Sequence, residues 1–128
     1  MSRPERQWVT DATRRLIAER KLTEARISSL THDFDAIVAA ARDTATDDEH
    51  DPEGQTIAFE RAQVSALLDQ ARDQISRVDH ATARLADGSY ATCAQCGRPI
   101  GHERLEARPT ATTCVACAVT TGGKRGGR

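Results

Sequence analysis

Four cysteines in the pattern C-x2-C-x17-C-x2-C constrain this chain more than any other feature: Cys93-Ala94-Gln95-Cys96 and Cys114-Val115-Ala116-Cys117. Each pair sets two thiolates on one tight turn, and two such turns close a tetrahedron about Zn²⁺. Gly97 follows the first pair, where a residue without Cβ lets the backbone turn its N–H toward sulfur. Cys93, Cys96, Cys114 and Cys117 are therefore expected to hold one structural zinc ion per chain. All four corners are thiolate, which leaves no open position for water or substrate. A thiol switch that releases zinc on oxidation is the alternative use of such a site, and nothing in the sequence favours it. Aromatic residues make up only 3% of the chain, so a bound metal would supply what a thin apolar core does not.

The residues before the finger carry heptads. Ile27, Leu30, Phe34, Ile37 and Ala41 are spaced 3, 4, 3, 4, the seam of a coiled coil. Extended backward, the seam passes through Thr23, Arg20, Leu16, Thr13 and Val9 and becomes dilute. Residues 44–56 have no apolar stripe, and Asp51-Pro52-Glu53 reads as a helix start with Asp as N-cap and Pro in the first turn. A second seam follows through Ile57, Val64, Leu68, Ala71, Ile75, Val78 and Leu85, interrupted by Arg61 and Thr82, and Gly88 is a natural helix end. Two helices of about 35 residues, each roughly 50 Å long, joined by a short loop, predict a mainly α protein: a long antiparallel coiled-coil hairpin plus a small C-terminal four-cysteine zinc finger. The expected segments are 1–8 as an N-terminal stretch, 9–87 as the hairpin with its tip at 44–56, 88–118 as the finger, and 119–128 as a disordered basic tail. Trp8 is expected to anchor the base of the hairpin.

Charge is polarised along this frame, although the net charge is only −1. The tip holds Asp47, Asp48, Glu49, Asp51 and Glu53 with no Lys or Arg, whereas residues 88–128 hold six bases against two acids. The acidic tip reads equally as a solvated loop or as carboxylates placed to approach Mg²⁺ or a basic surface. His32, His50, His80 and His102 are scattered and read as surface residues. No nucleophile–base set, phosphate-cradling glycine loop or catalytic carboxylate pair is visible, so an enzyme is not expected. No apolar run reaches the ~18 residues a membrane span needs, and no apolar stretch follows the N-terminal charges as in a secretory signal. The expectation is a cytoplasmic monomer, in a compartment where cysteines bind metal rather than form disulfides.

The run Cys93-Ala94-Gln95-Cys96-Gly97-Arg98-Pro99-Ile100-Gly101, continued through Arg104-Leu105-Glu106-Ala107-Arg108-Pro109-Thr110-Ala111 to Cys114 and Cys117, resembles the zinc-finger signature of the DksA/TraR family of bacterial transcription factors. The resemblance, with the hairpin, covers about residues 10 to 118. It implies a regulator that binds RNA polymerase rather than a promoter sequence, with the hairpin inserted in the secondary channel and the acidic tip near the catalytic Mg²⁺. It also implies guanosine tetraphosphate as a second partner. The tip departs from the family's D-P-x-D-R-A: here Asp51-Pro52-Glu53-Gly54-Gln55-Thr56 keeps the first Asp and the Pro only. A D-x-x-D run, Asp48-Glu49-His50-Asp51, lies just before it. The family's helix after the last cysteine is expected to be missing or very short. Two other readings stand beside this one: a zinc protein that binds nucleic acid through Arg98, Arg104, Arg108 and the tail, and a coiled-coil interaction module with a zinc cap.

Overall fold

The structure, a computed structural model, describes residues 2–43 and 52–124. These form four helices: α1 (Arg3–Asp43), α2 (Pro52–Asp87), α3 (His102–Ala107) and α4 (Val115–Lys124). Among the described residues the only β pairing is one isolated antiparallel bridge, Thr92 to Pro99. No described helix is long and apolar enough to cross a membrane.

Helix α1 begins six residues before the expected Val9, because Ser2-Arg3-Pro4-Glu5 is a capping box. The Glu5 N–H donates to Ser2 Oγ at 3.2 Å, and that hydroxyl donates to Glu5 Oε1 at 3.0 Å. Pro4 sits in the first turn, where a backbone N–H has no helical acceptor. Residues 1–8 are thus not a separate stretch, and Trp8 is a helical residue. Helix α2 opens at Pro52 with Glu53 in its first turn, as the residue pattern predicts.

The chain divides into two compact units, Met1–Arg20 with Ser76–Arg128, and Lys21–Ile75. The Lys21–Ile75 unit follows the heptads. Thr23, Leu68 and Ala71 are buried, and Ile27, Leu30, Phe34, Ile37, Ala41, Ile57, Val64 and Ile75 are half-buried. Arg61 lies exposed on this stretch.

The other unit departs from the heptads. The seam predicts Thr13 and Thr82 at the interface, yet both are exposed and return their hydroxyls to their own helices, Thr13 Oγ1 to Val9 O and Thr82 Oγ1 to Val78 O, each at 2.9 Å. Ala12 and Ala81 are buried in their place, one position earlier. A straight α-helix drifts by about 20° per heptad from a 3.5-residue repeat, and alanine at the new contact lets two backbones approach. Arg20, on the seam, forks onto Asp79 with Nε to Oδ1 at 2.9 Å and Nη2 to Oδ2 at 3.2 Å. That bond holds the Asp79 carboxyl below the usual carboxylate range.

One core runs through this unit: Ala12, Leu16, Val78, Ala81, Tyr90, Cys93, Ile100 and Leu105, with Trp8, Leu85, Ala111, Cys114 and Cys117 packed against it. The expected boundary between hairpin and finger at residue 88 therefore does not separate two cores. Leu16 is 2% exposed and Leu22 is 65% exposed. Leu16→Ala should lower the unfolding free energy by about 2–5 kcal/mol, whereas Leu22→Ala should change it by less than about 0.5 kcal/mol, as read from urea denaturation followed by circular dichroism.

Candidate metal centre

The first cysteine pair sits on a short knuckle. The Cys93 N–H donates to Arg98 O at 2.8 Å, Gly97 N–H returns to Cys93 O at 3.0 Å, and Ile100 N–H donates to Ala91 O at 2.8 Å. Gly97 closes the turn at φ 77°, in the left-handed region that glycine enters at low cost. The second pair is built differently. Cys114 immediately precedes α4, Cys117 lies in its first turn, and Ala118 N–H donates to Cys114 O at 2.9 Å. One bond from Ala94 N–H to Thr112 O, 2.8 Å, ties the two halves together.

The four Sγ atoms lie within 4.8 Å of one another, and Cys96 and Cys114 Sγ are 3.8 Å apart. A regular tetrahedron with Zn–S bonds of about 2.3 Å has edges of about 3.8 Å. A disulfide would need about 2.05 Å, and all four cysteines are free thiols. Desolvation raises the Cys93 thiol, but N–H bonds from Cys96, Cys114 and Gln95 outweigh it and bring the group to about 6. Cys114 is lowered chiefly by the backbone N–H of Cys117. Cys117 is pushed up to about 12, first by its hydrogen bond with Cys114. The set thus favours thiolate at some corners and retains a proton at another, and a divalent cation would displace that proton and bind all four as thiolates. The donor chemistry and spacing fit Zn²⁺, held by Cys93, Cys96, Cys114 and Cys117.

The surroundings lock this geometry. Tyr90 OH donates to Pro109 O at 2.7 Å, Arg104 Nε donates to Thr113 O at 2.8 Å, and Leu105 of α3 is fully buried beneath the site. Burial raises the Tyr90 hydroxyl, so it stays a donor at neutral pH. Trp8 is half-buried at the base, as expected of an anchor, and stacks on His102 with ring centroids 3.9 Å apart and planes 14° apart.

Helix α4 continues to Lys124, so neither a missing helix nor a tail starting at residue 119 describes this end of the chain. Val115-Ala116-Cys117-Ala118-Val119 carries no helix breaker, and Thr120 Oγ1 bonds Ala116 O at 3.0 Å. The glycines that suggested a tail, Gly122 and Gly123, cost roughly 1 kcal/mol each in a helix, which the turn before them outweighs. Of the tip residues, Asp47, Asp48, Glu49 and Asp51 lie outside the described residues, and Glu53 is exposed in the first turn of α2. Sequence reasoning missed Arg84, Tyr90 and Arg104 as supports of the finger. Only Arg104 had a visible signal, in the Arg104-Leu105-Glu106-Ala107-Arg108-Pro109 run. Cobalt substitution should give one tetrahedral Co²⁺ per chain with visible d–d bands, and Cys114→Ser should weaken those bands and lower the helix content retained at 37 °C.

Residues 88–119 match the prokaryotic dksA/traR C4-type zinc finger. The chain is 50% identical over 56 residues to the RNA polymerase-binding transcription factor DksA of Caulobacter vibrioides; the match spans 44% of this chain and only 39% of the relative's length. It is 29% identical over 118 residues to the DksA of Escherichia coli K12, spanning 90% of this chain and 75% of that one. It is 30% identical over 101 residues to the DksA of Salmonella typhimurium, spanning 77% and 65%. The solved structure of transcription factor DksA2 from Pseudomonas aeruginosa shares the fold at a TM-score of 0.77 and 24% identity, covering 93% of this chain and 86% of that chain. Residues 88–119 thus carry the dksA/traR C4-type zinc finger, and most of the chain is similar in sequence and fold to DksA proteins.

Proposed function

We propose that this protein is a cytoplasmic transcription regulator that binds RNA polymerase and places the segment between α1 and α2 in the enzyme's secondary channel, altering initiation. The observation that carries the reading is the C4 finger joined through one core to two paired helices, the fold shared with DksA2. The names of the curated relatives supply the polymerase as partner. The zinc is structural, so the effect on the polymerase is exerted by the helices and the acidic segment they carry.

Asp47, Asp48, Glu49, Asp51 and Glu53 are the modulating residues in this reading. Carboxylates with water are a normal Mg²⁺ environment, and negative charge near a catalytic metal changes how tightly that metal and its substrates are held. Since the D-P-x-D-R-A pattern is replaced by Asp51-Pro52-Glu53-Gly54-Gln55-Thr56, the effect rests on Asp48 and Asp51 rather than on the family's second Asp and Arg. Cooperation with guanosine tetraphosphate is correspondingly weak.

Two measurements test this. Zinc-loaded protein should bind RNA polymerase core enzyme in mutual exclusion with a transcript-cleavage factor of the secondary channel; simultaneous binding would move the contact elsewhere. The double variant Asp48→Asn, Asp51→Asn should bind within about threefold of wild type, since surface charges away from the contact contribute little, yet lose its effect on open-complex lifetime. An unchanged effect in that variant would remove the acidic segment from the mechanism.

A further inference from the structure

The last turn of α2 contains Arg84, only 7% exposed. Its Nη2 donates to Ser89 O at 2.7 Å and also to Thr92 O, and its Nε reaches Ser89 Oγ at 3.5 Å. Its own carbonyl accepts the N–H groups of Ser89 and Tyr90, at 2.9 and 3.2 Å. Asp87 completes the junction by accepting from Ser89 N and Oγ at 2.9 and 2.6 Å. Thr92 O and Cys93 N belong to one peptide plane. Arg84 holds that plane by its oxygen while Arg98 O holds it by its N–H, at 2.8 Å. The peptide that aims the first zinc ligand is therefore fixed from both sides.

The geometry points to Arg84 as a positioning residue for the metal centre: it joins the end of α2 to the peptide of Cys93 and so couples zinc retention to the seating of the helix. A residue placed here for packing alone would be apolar, because a buried guanidinium is costly unless its donors are used. Arg84 Nη1 is buried with no hydrogen-bond partner among the described residues, so packing gains do not explain the charge. A zinc ion with four thiolates is a net anion, and a guanidinium one peptide from Cys93 opposes that charge. The planar fork also matters, since it spans two carbonyls that a point-charge ammonium holds less well. This inference concerns the metal centre and does not depend on the polymerase reading.

The test is the rate of zinc release from the full chain to excess 4-(2-pyridylazo)resorcinol, followed by colour. Arg84→Gln should release zinc about 10–100-fold faster than wild type, the range seen when groups that orient metal ligands are removed. Arg84→Lys should fall between the two. Leu68→Ala, in the same helix but outside the core that contains Cys93, serves as the control for lost stability: it should lower Tm while releasing zinc within about threefold of wild type. If Arg84→Gln does not fold, Arg84→Lys decides alone, with a release rate at least threefold above wild type expected. Wild-type release from both Arg84 variants, or release from Leu68→Ala as fast as from Arg84→Gln, would overturn the proposal.

Discussion

Everything near the finger depends on one core that the finger and the two long helices share. Tyr90, Ile100 and Leu105 come from the finger side, Ala12 and Leu16 from α1, and Val78 and Ala81 from α2. Fully burying one large apolar side chain contributes about 1.5–3 kcal/mol, and few such side chains are available in a chain with one Trp, one Tyr and two Phe. A structural zinc site contributes on the order of 10 kcal/mol, comparable to several of those residues together. Two of its ligands, Cys114 and Cys117, also pack against the core, and Cys93 is part of it. The metal therefore holds together the same atoms that seat the helices.

That arrangement bears on the choice between functional readings. Arg84 and Arg104 donate to carbonyls within the same unit, to Ser89, Thr92 and Thr113. Two of the cations in this part of the chain are thus occupied by structure. The basic finger reads as a scaffold.

Much of this was legible in the sequence where one physical rule governed the outcome. The C-x2-C-x17-C-x2-C spacing sufficed for the metal site, because thiolate geometry tolerates few alternatives. The heptads matched the buried and half-buried positions from Thr23 to Ala41 among the described residues of the Lys21–Ile75 unit. Legibility failed where a third element joined the two helices. Beside the finger the buried positions are Ala12 and Ala81 rather than Thr13 and Thr82, in the core that also holds Tyr90 and Leu105. Arg84 gave no signal in the sequence because its partners are backbone carbonyls, which carry no residue signature. The capping box at Ser2 and Glu5 was visible in principle; the polar first turn obscured it because apolar periodicity starts only at Trp8 and Val9. Helix α4 was concealed by its glycines.

Zinc maintains the helix ends beside the finger through the shared core. The direct measurement is amide hydrogen exchange by mass spectrometry on zinc-loaded and chelated protein. Removal of zinc should strip protection from residues 8–20 and 76–90 along with the finger, and leave residues 27–37 and 64–71 nearly unchanged. Loss of protection confined to residues 91–119 would contradict the claim, and would make the finger an independent module attached to a hairpin that stands without it.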